Sequence, residues 1–295
     1  MPEHRLHLSA TFGIRREVEP PAPLPAAAGF LVALLVAIAS LAGISAPQIY
    51  AGETASWRVQ GIGQDWVDLV VAVPWLLVAA SALIRGSRRG ALLLAGGLAY
   101  TAYSFVIYAV GVHFNQLFLV YCAIIGGSVF GLVGLALPFL RDELHLSFVA
   151  APRRLASAFL TVSAVVFALL WLAVDVPAVI RGEPPAELAE VGLPTNPIHV
   201  LDLSLVLPAL IATGVMLWRQ RSAGYVLAAI ALGFCVLMDL NIAGITLAMR
   251  RAELGGSLGF AIGFVAIASG AAVLLVLLLR AAHDPRGARR APKAS

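Results

Sequence analysis

The apolar segment "HVLDLSLVLP", His199 to Pro208, opens with a histidine and an aspartate one helical turn apart. An earlier segment, "DWVDLVVAVP" from Asp65 to Pro74, has the same layout with an aspartate at both polar positions. Residues three apart on a helix share a face, so each segment presents a stacked polar pair: Asp65 over Asp68, and His199 over Asp202. Carboxylate and imidazole groups in such an arrangement can hold a divalent ion, exchange protons, or serve as general acid and base. A further aspartate, Asp239, lies within the apolar run "YVLAAIALGFCVLMDLNIAGITLAM", roughly 10 Å by helical rise from its far end. An ionisable group that deep in hydrocarbon marks a functional site by default, unless it is neutral and hydrogen-bonded to a neighbouring helix.

Other polar residues fall at the same depth. They are His113 and Asn115 in the turn "VHFNQ", Tyr108 one turn earlier, Asp175 at the end of the fifth apolar segment, and Glu53 and Glu183 in loops. The ligand or ion-binding candidates are therefore Asp68, His113, His199, Asp202 and Asp239, and the weak metal candidates are His113, His199 and Asp202. No two histidines stand four apart, so no compact metal motif supports the last group. A simpler reading competes with all of these. Acidic side chains in a first helical turn cap backbone N–H groups and complement the macrodipole. On that reading Asp65 is an N-cap with Asp68 in the first turn, and Asn196 is an N-cap with Pro197 at N1. Asp202 fits it poorly, because it falls near the sixth helical position.

These residues need elements to position them, and composition names the kind. The chain has 295 residues, 60% of them hydrophobic and only 12% charged, and its mean hydropathy is +0.92. Those values belong to an all-α integral membrane protein. Eight segments reach the roughly 20 apolar residues that one crossing needs: about 26–46, 66–84, 91–111, 117–139, 155–180, 199–218, 225–248 and 257–279. The connections are too short for an extramembrane domain. The first segment reads as a retained crossing rather than a signal peptide, since a long, mixed-charge stretch precedes it. Cys122 and Cys235 both fall mid-segment, where a thiol behaves as a small apolar group.

Lysine and arginine set the orientation. With both termini cytoplasmic, 16 of the 20 basic residues lie inside, against Arg58, Arg181, Arg250 and Arg251 outside. The protein is expected in a cell membrane, most simply a prokaryotic cytoplasmic (inner) membrane. The basic tail "RGARRAPK" reads as a topology signal that touches anionic lipid, with no nucleic acid implied.

A shift of 134 residues aligns Asp68 with Asp202, Pro74 with Pro208, Arg85 with Arg219 and Gly90 with Gly224. A shift of 130 aligns Pro47, Gly52 and Glu53 with Pro177, Gly182 and Glu183. The expectation is two parallel four-helix repeats, 26–139 and 155–279, joined by a linker at 140–154 and flanked by a cytoplasmic segment at 1–25 and a tail at 280–295. Pro74 and Pro208 are expected to kink equivalent helices. Glycines spaced by four, Gly127 with Gly131 and Gly255 with Gly259 and Gly263, suggest close packing of the fourth and eighth helices at a shared seam.

Three functions fit this pattern. The first is a small secondary transporter or solute-binding protein with an outward-facing polar site between the repeats, taking a small solute or ion. The second is a scaffold or partner subunit of a membrane complex, or a homo-oligomer. The third is a membrane-embedded enzyme with an Asp/His acid–base or metal site for a lipid-soluble substrate. No motif indicates a particular cofactor.

Overall fold

In a computed structural model, which describes residues 23–141, 147–148 and 151–283, the chain is helical almost throughout. Eight helices are long and apolar enough to cross a membrane: α1 (Leu24–Ser45), α2 (Ala55–Ile84), α3 (Arg88–Gly111), α4 (Phe118–Leu140), α5 (Arg153–Arg181), α6 (Pro197–Trp218), α7 (Ser222–Arg251) and α8 (Leu258–Ala281). A short helix, Ala186–Val191, and a 3-10 turn, Pro47–Tyr50, lie between crossings. Ser147–Phe148 pairs antiparallel with Ala282–His283 at the opposite end of the bundle. The segment 1–22 and the tail "RGARRAPK" lie outside the described residues.

Helices α3 and α7 form the centre, each 72% buried, whereas α5 is only 17% buried along its apolar stretch. Lipid tails offer no hydrophobic drive for helices to associate, so close backbone approach and interhelical hydrogen bonds must hold the bundle together. Such an approach occurs where Gly96 of α3 meets Gly233 of α7, and a Cβ on Gly96 would stand 3.0 Å from the Ile230 carbonyl oxygen. Helix α7 also lies along the start of α2, where a Cβ on Gly63 would meet Ala248 at 2.8 Å and one on Gly244 would overlap Val67. The expected glycine seam is corrected here. Gly127 and Gly131 of α4 pack on Val32 of α1 and Leu98 of α3, while Gly259 and Gly263 of α8 face open space. The small-residue contact therefore joins the third and seventh helices, because their glycines turn inward and those of α8 turn toward lipid.

Helix α2 begins well before the expected position. Thr54 is its N-cap, with its hydroxyl accepting from the Trp57 N–H at 3.2 Å, and the polar stretch "SWRVQGIGQ" forms its first turns. Asp65 and Asp68 are therefore mid-helix residues, and the capping reading fails for both. It holds at α6, where the Asn196 side chain accepts from the N–H groups of Ile198 and His199 at 3.0 and 3.3 Å, with Pro197 following.

Both helices then widen at the same relative place. A π turn spans Asp68–Ala72 in α2 and another spans Asp202–Val206 in α6. In each the aspartate carbonyl accepts an i+5 bond, from the N–H of Val73 or of Leu207. The proline that follows, Pro74 or Pro208, has no N–H to donate and its ring crowds the carbonyl four residues back. The wide turn relieves that conflict within the helix.

Candidate functional site

The polar side chains gather in separate places, not in one pocket. In the first half, Asp65 and Asp68 are buried, 1% and 0% exposed. The Tyr50 hydroxyl donates to Asp65 Oδ2 at 2.6 Å and the Tyr108 hydroxyl to Asp65 Oδ1 at 3.0 Å. Tyr100 donates to Asp68 Oδ1 at 2.6 Å. Hydrogen bonds to carboxylates are the strong kind, and two or three of them offset much of the cost of burying the acid. Burial, and after it the neighbouring Asp65 carboxylate, push the Tyr50 hydroxyl well above the usual tyrosine range, so it stays a donor. Gly43 makes room for this group, since a Cβ there would overlap Asp65 Oδ2.

In the second half the arrangement opens to solvent. Asp202 Oδ1 accepts from the Tyr103 hydroxyl of α3 at 2.9 Å, and its Oδ2 accepts from the Trp171 indole N–H of α5 at 2.8 Å. One turn above, His199 Nδ1 lies 3.0 Å from Asp175 Oδ1, and Nε2 lies 3.7 Å from Glu187 Oε1. The imidazole stacks on Trp171, with ring centroids 4.3 Å apart and planes at 30°. His199 thus has a carboxylate on either side and an aromatic ring over its face, which fixes its orientation. It borders a cavity of about 680 Å³ at the end of α5 and α6, whose wall also includes Asp175, Glu183, Asn196, Ser204 and the prolines Pro184, Pro185 and Pro194. Two acids, Asp175 and Glu183, and one imidazole line this mouth, with Glu187 against the imidazole and Arg181 3.9 Å from Glu183, which leaves a net excess of carboxylates to attract positive charge.

The remaining candidates stand apart. His113 is largely exposed and caps the buried Glu53: its backbone N–H donates to Oε1 at 2.7 Å and its Nδ1 lies 3.1 Å from the same oxygen. Asp239 is buried on α7 and has no hydrogen-bond partner among the described residues, so the neutral hydrogen-bonded reading finds no acceptor or donor here. The structure brings His199 and Asp202 together and leaves Asp68, His113 and Asp239 in other places. The weak metal set is not assembled: His113 and His199 engage different carboxylates, and no group of three or more His, Cys, Asp or Glu is placed to hold a metal ion among the described residues.

Sequence reasoning missed Trp171, Tyr50, Tyr100 and Tyr103. A signal for two of them was present in "AYTAYSFVIY", a run of hydroxyl-bearing rings inside an apolar crossing, where each phenol needs an acceptor. The fold and these sites define a helical multi-pass membrane protein. No protein-family model, curated protein or solved structure matches the chain.

Proposed function

We propose that this is a secondary transporter or solute-binding membrane protein of two parallel four-helix repeats, and that it receives a small cationic solute at the Asp175–His199 cavity. The carrying observation is the cavity itself, walled by Asp175 and His199, with Glu187 and Trp171 bracing the imidazole from behind. The arginine distribution supports an outward-facing mouth. Support for the repeats comes from the two π turns, which begin at residues 68 and 202, the same offset that aligns the prolines. Such a turn inside a crossing is a point where a helix can change register without breaking. It lies next to Asp202, so movement of α6 would pull on the groups that orient His199.

The test is a thermal-unfolding screen of the purified protein with small protonated amines, followed by uptake of any hit into proteoliposomes. We expect a stabilising amine whose effect is lost in Asp175→Asn and in His199→Ala and kept in His113→Ala. If no amine stabilises the protein, or the variants respond like the parent, the reading fails. A partner-subunit role draws on α5, whose apolar face is the least covered of the eight crossings. Co-purification of a fixed partner, with Asp202→Asn tolerated, would favour it.

A further inference from the structure

A second polar region lies inside the bundle, away from the cavity. Asp68 is fully buried, Tyr100 satisfies its Oδ1, and its Oδ2 has no hydrogen-bond partner. Gln64 lies beside Asp68, and Ser104 beside Tyr100. The Gln64 amide nitrogen, Ser104 Oγ and Asn241 Oδ1 are also buried without partners, on residues 8%, 1% and 3% exposed.

Helix register brings Asn241 to the same depth. Helices α3 and α7 cross at Gly96 and Gly233, and both Ser104 and Asn241 stand two turns further along their helices. From the other side, Gly244 of α7 faces Val67, and Gly63 faces Ile245. The two helices run antiparallel, so Asn241, one turn before that contact, falls opposite the turn of α2 that begins at Asp68.

Unpartnered buried polar atoms are rare in folded proteins, because each costs about 1–3 kcal/mol. Here helix register sets several at similar depth on three packed helices. The charges leave the same deficit. Asp65 and Asp68 are three residues apart, and neither forms an ion pair among the described residues. The nearby cation, Arg58, is used on the backbone carbonyls of Tyr50 and Glu53. A proton would need only one acceptor, whereas helix register sets a carboxylate, a hydroxyl and an amide oxygen at similar depth on three packed helices. Hard oxygen donors of mixed charge suit a small, hard cation.

We propose that Asp68, Ser104 and Asn241 bind a monovalent cation of the Na⁺ class between α2, α3 and α7, with Gln64 orienting the carboxylate. The site owes nothing to the Asp175–His199 cavity and stands or falls separately. An ion here would clamp the π turn of α2 to the two central helices.

The experiment is thermal unfolding of the full-length protein in detergent or nanodiscs, in NaCl, KCl and choline chloride at equal ionic strength. A ligand present at a hundredfold excess over its Kd should raise the unfolding temperature by about 5 °C for a chain of this size. We expect Na⁺ to give that shift and choline to give none, and we expect Asn241→Leu and Ser104→Ala to reduce it strongly. Asp68→Asn should abolish it; if that variant does not fold, the other two decide. Equal unfolding temperatures in all three salts would overturn the proposal and leave the region to internal water or a protonated Asp68. A Na⁺ shift undiminished in Asn241→Leu and Ser104→Ala would overturn it as well. Asp175→Asn should keep the full shift, which separates this result from any failure of the cavity reading.

Discussion

At the scale of single residues, the molecule manages acids in two ways. The first half encloses them and supplies phenolic donors; the second half holds them at a mouth and supplies an indole and an imidazole. Asp68 accepts from one tyrosine, Tyr100, whereas Asp65 accepts from two, Tyr50 and Tyr108. Removing a sole charge-assisted donor costs more than removing one of two. Tyr100→Phe should therefore destabilise by about 2–3 kcal/mol and Tyr50→Phe by about 1–2 kcal/mol. Unfolding temperatures of the two variants in the same detergent check this, and the reverse order would contradict the donor assignment. The acids themselves were legible in the sequence, as polar letters at helical spacing in apolar runs. Their partners were not, since Tyr103 and Trp171 lie 99 and 31 residues from Asp202 along the chain, and only folding brings them to it.

At the scale of elements, hydropathy located every crossing and misjudged one beginning. Arg58, Gln60 and Gln64 pull the local average down, so the first turns of α2 read as loop, although Thr54 carries a cap residue's chemistry. That error turned two buried mid-helix acids into apparent caps. The prolines were legible as breaks, but their effect is a π turn, in which Asp68 and Asp202 each accept an i+5 bond. Giving residue 208 an N–H restores a donor without adding bulk. Pro208→Ala should leave stability within about 1 kcal/mol of the parent while weakening any solute-dependent stabilisation at the cavity, as read by thermal unfolding with and without solute. Gly96→Val carries the opposite expectation. Its branched side chain has no space against Ile230 and Gly233, so α3 and α7 must part, at a cost of about 3 kcal/mol. Undiminished stability of that variant would show that the crossing is looser than described.

At the scale of the whole molecule, the usual relation of inside to outside is reversed. Large apolar side chains such as Leu169, Ile180, Phe130 and Ile262 stand on the surface, where lipid covers them, and the polar groups sit between helices. That inversion was legible from composition, because eight long apolar segments in one chain leave no other solvent for them. The glycine seam was not, since every crossing carries glycines and only three-dimensional packing says which face the centre. The proposed orientation rests on charge and can be checked directly. Single cysteines in a Cys122→Ser, Cys235→Ala background should react with a membrane-impermeant reagent from outside intact cells at Glu183 or Glu253, and only after permeabilisation at Arg141 or Arg221. Labelling in the opposite sense would invert the proposed mouth.

The stacking of Trp171 on His199 has an optical consequence. An indole in face contact with an imidazole loses fluorescence when that imidazole gains a proton, because the cation is the better quencher. Of the five tryptophans in the chain, Trp171 is the one whose ring stacks on a histidine among the described residues. The protein therefore carries its own reporter: a Trp171→Phe difference spectrum would follow events at the cavity mouth without any added label.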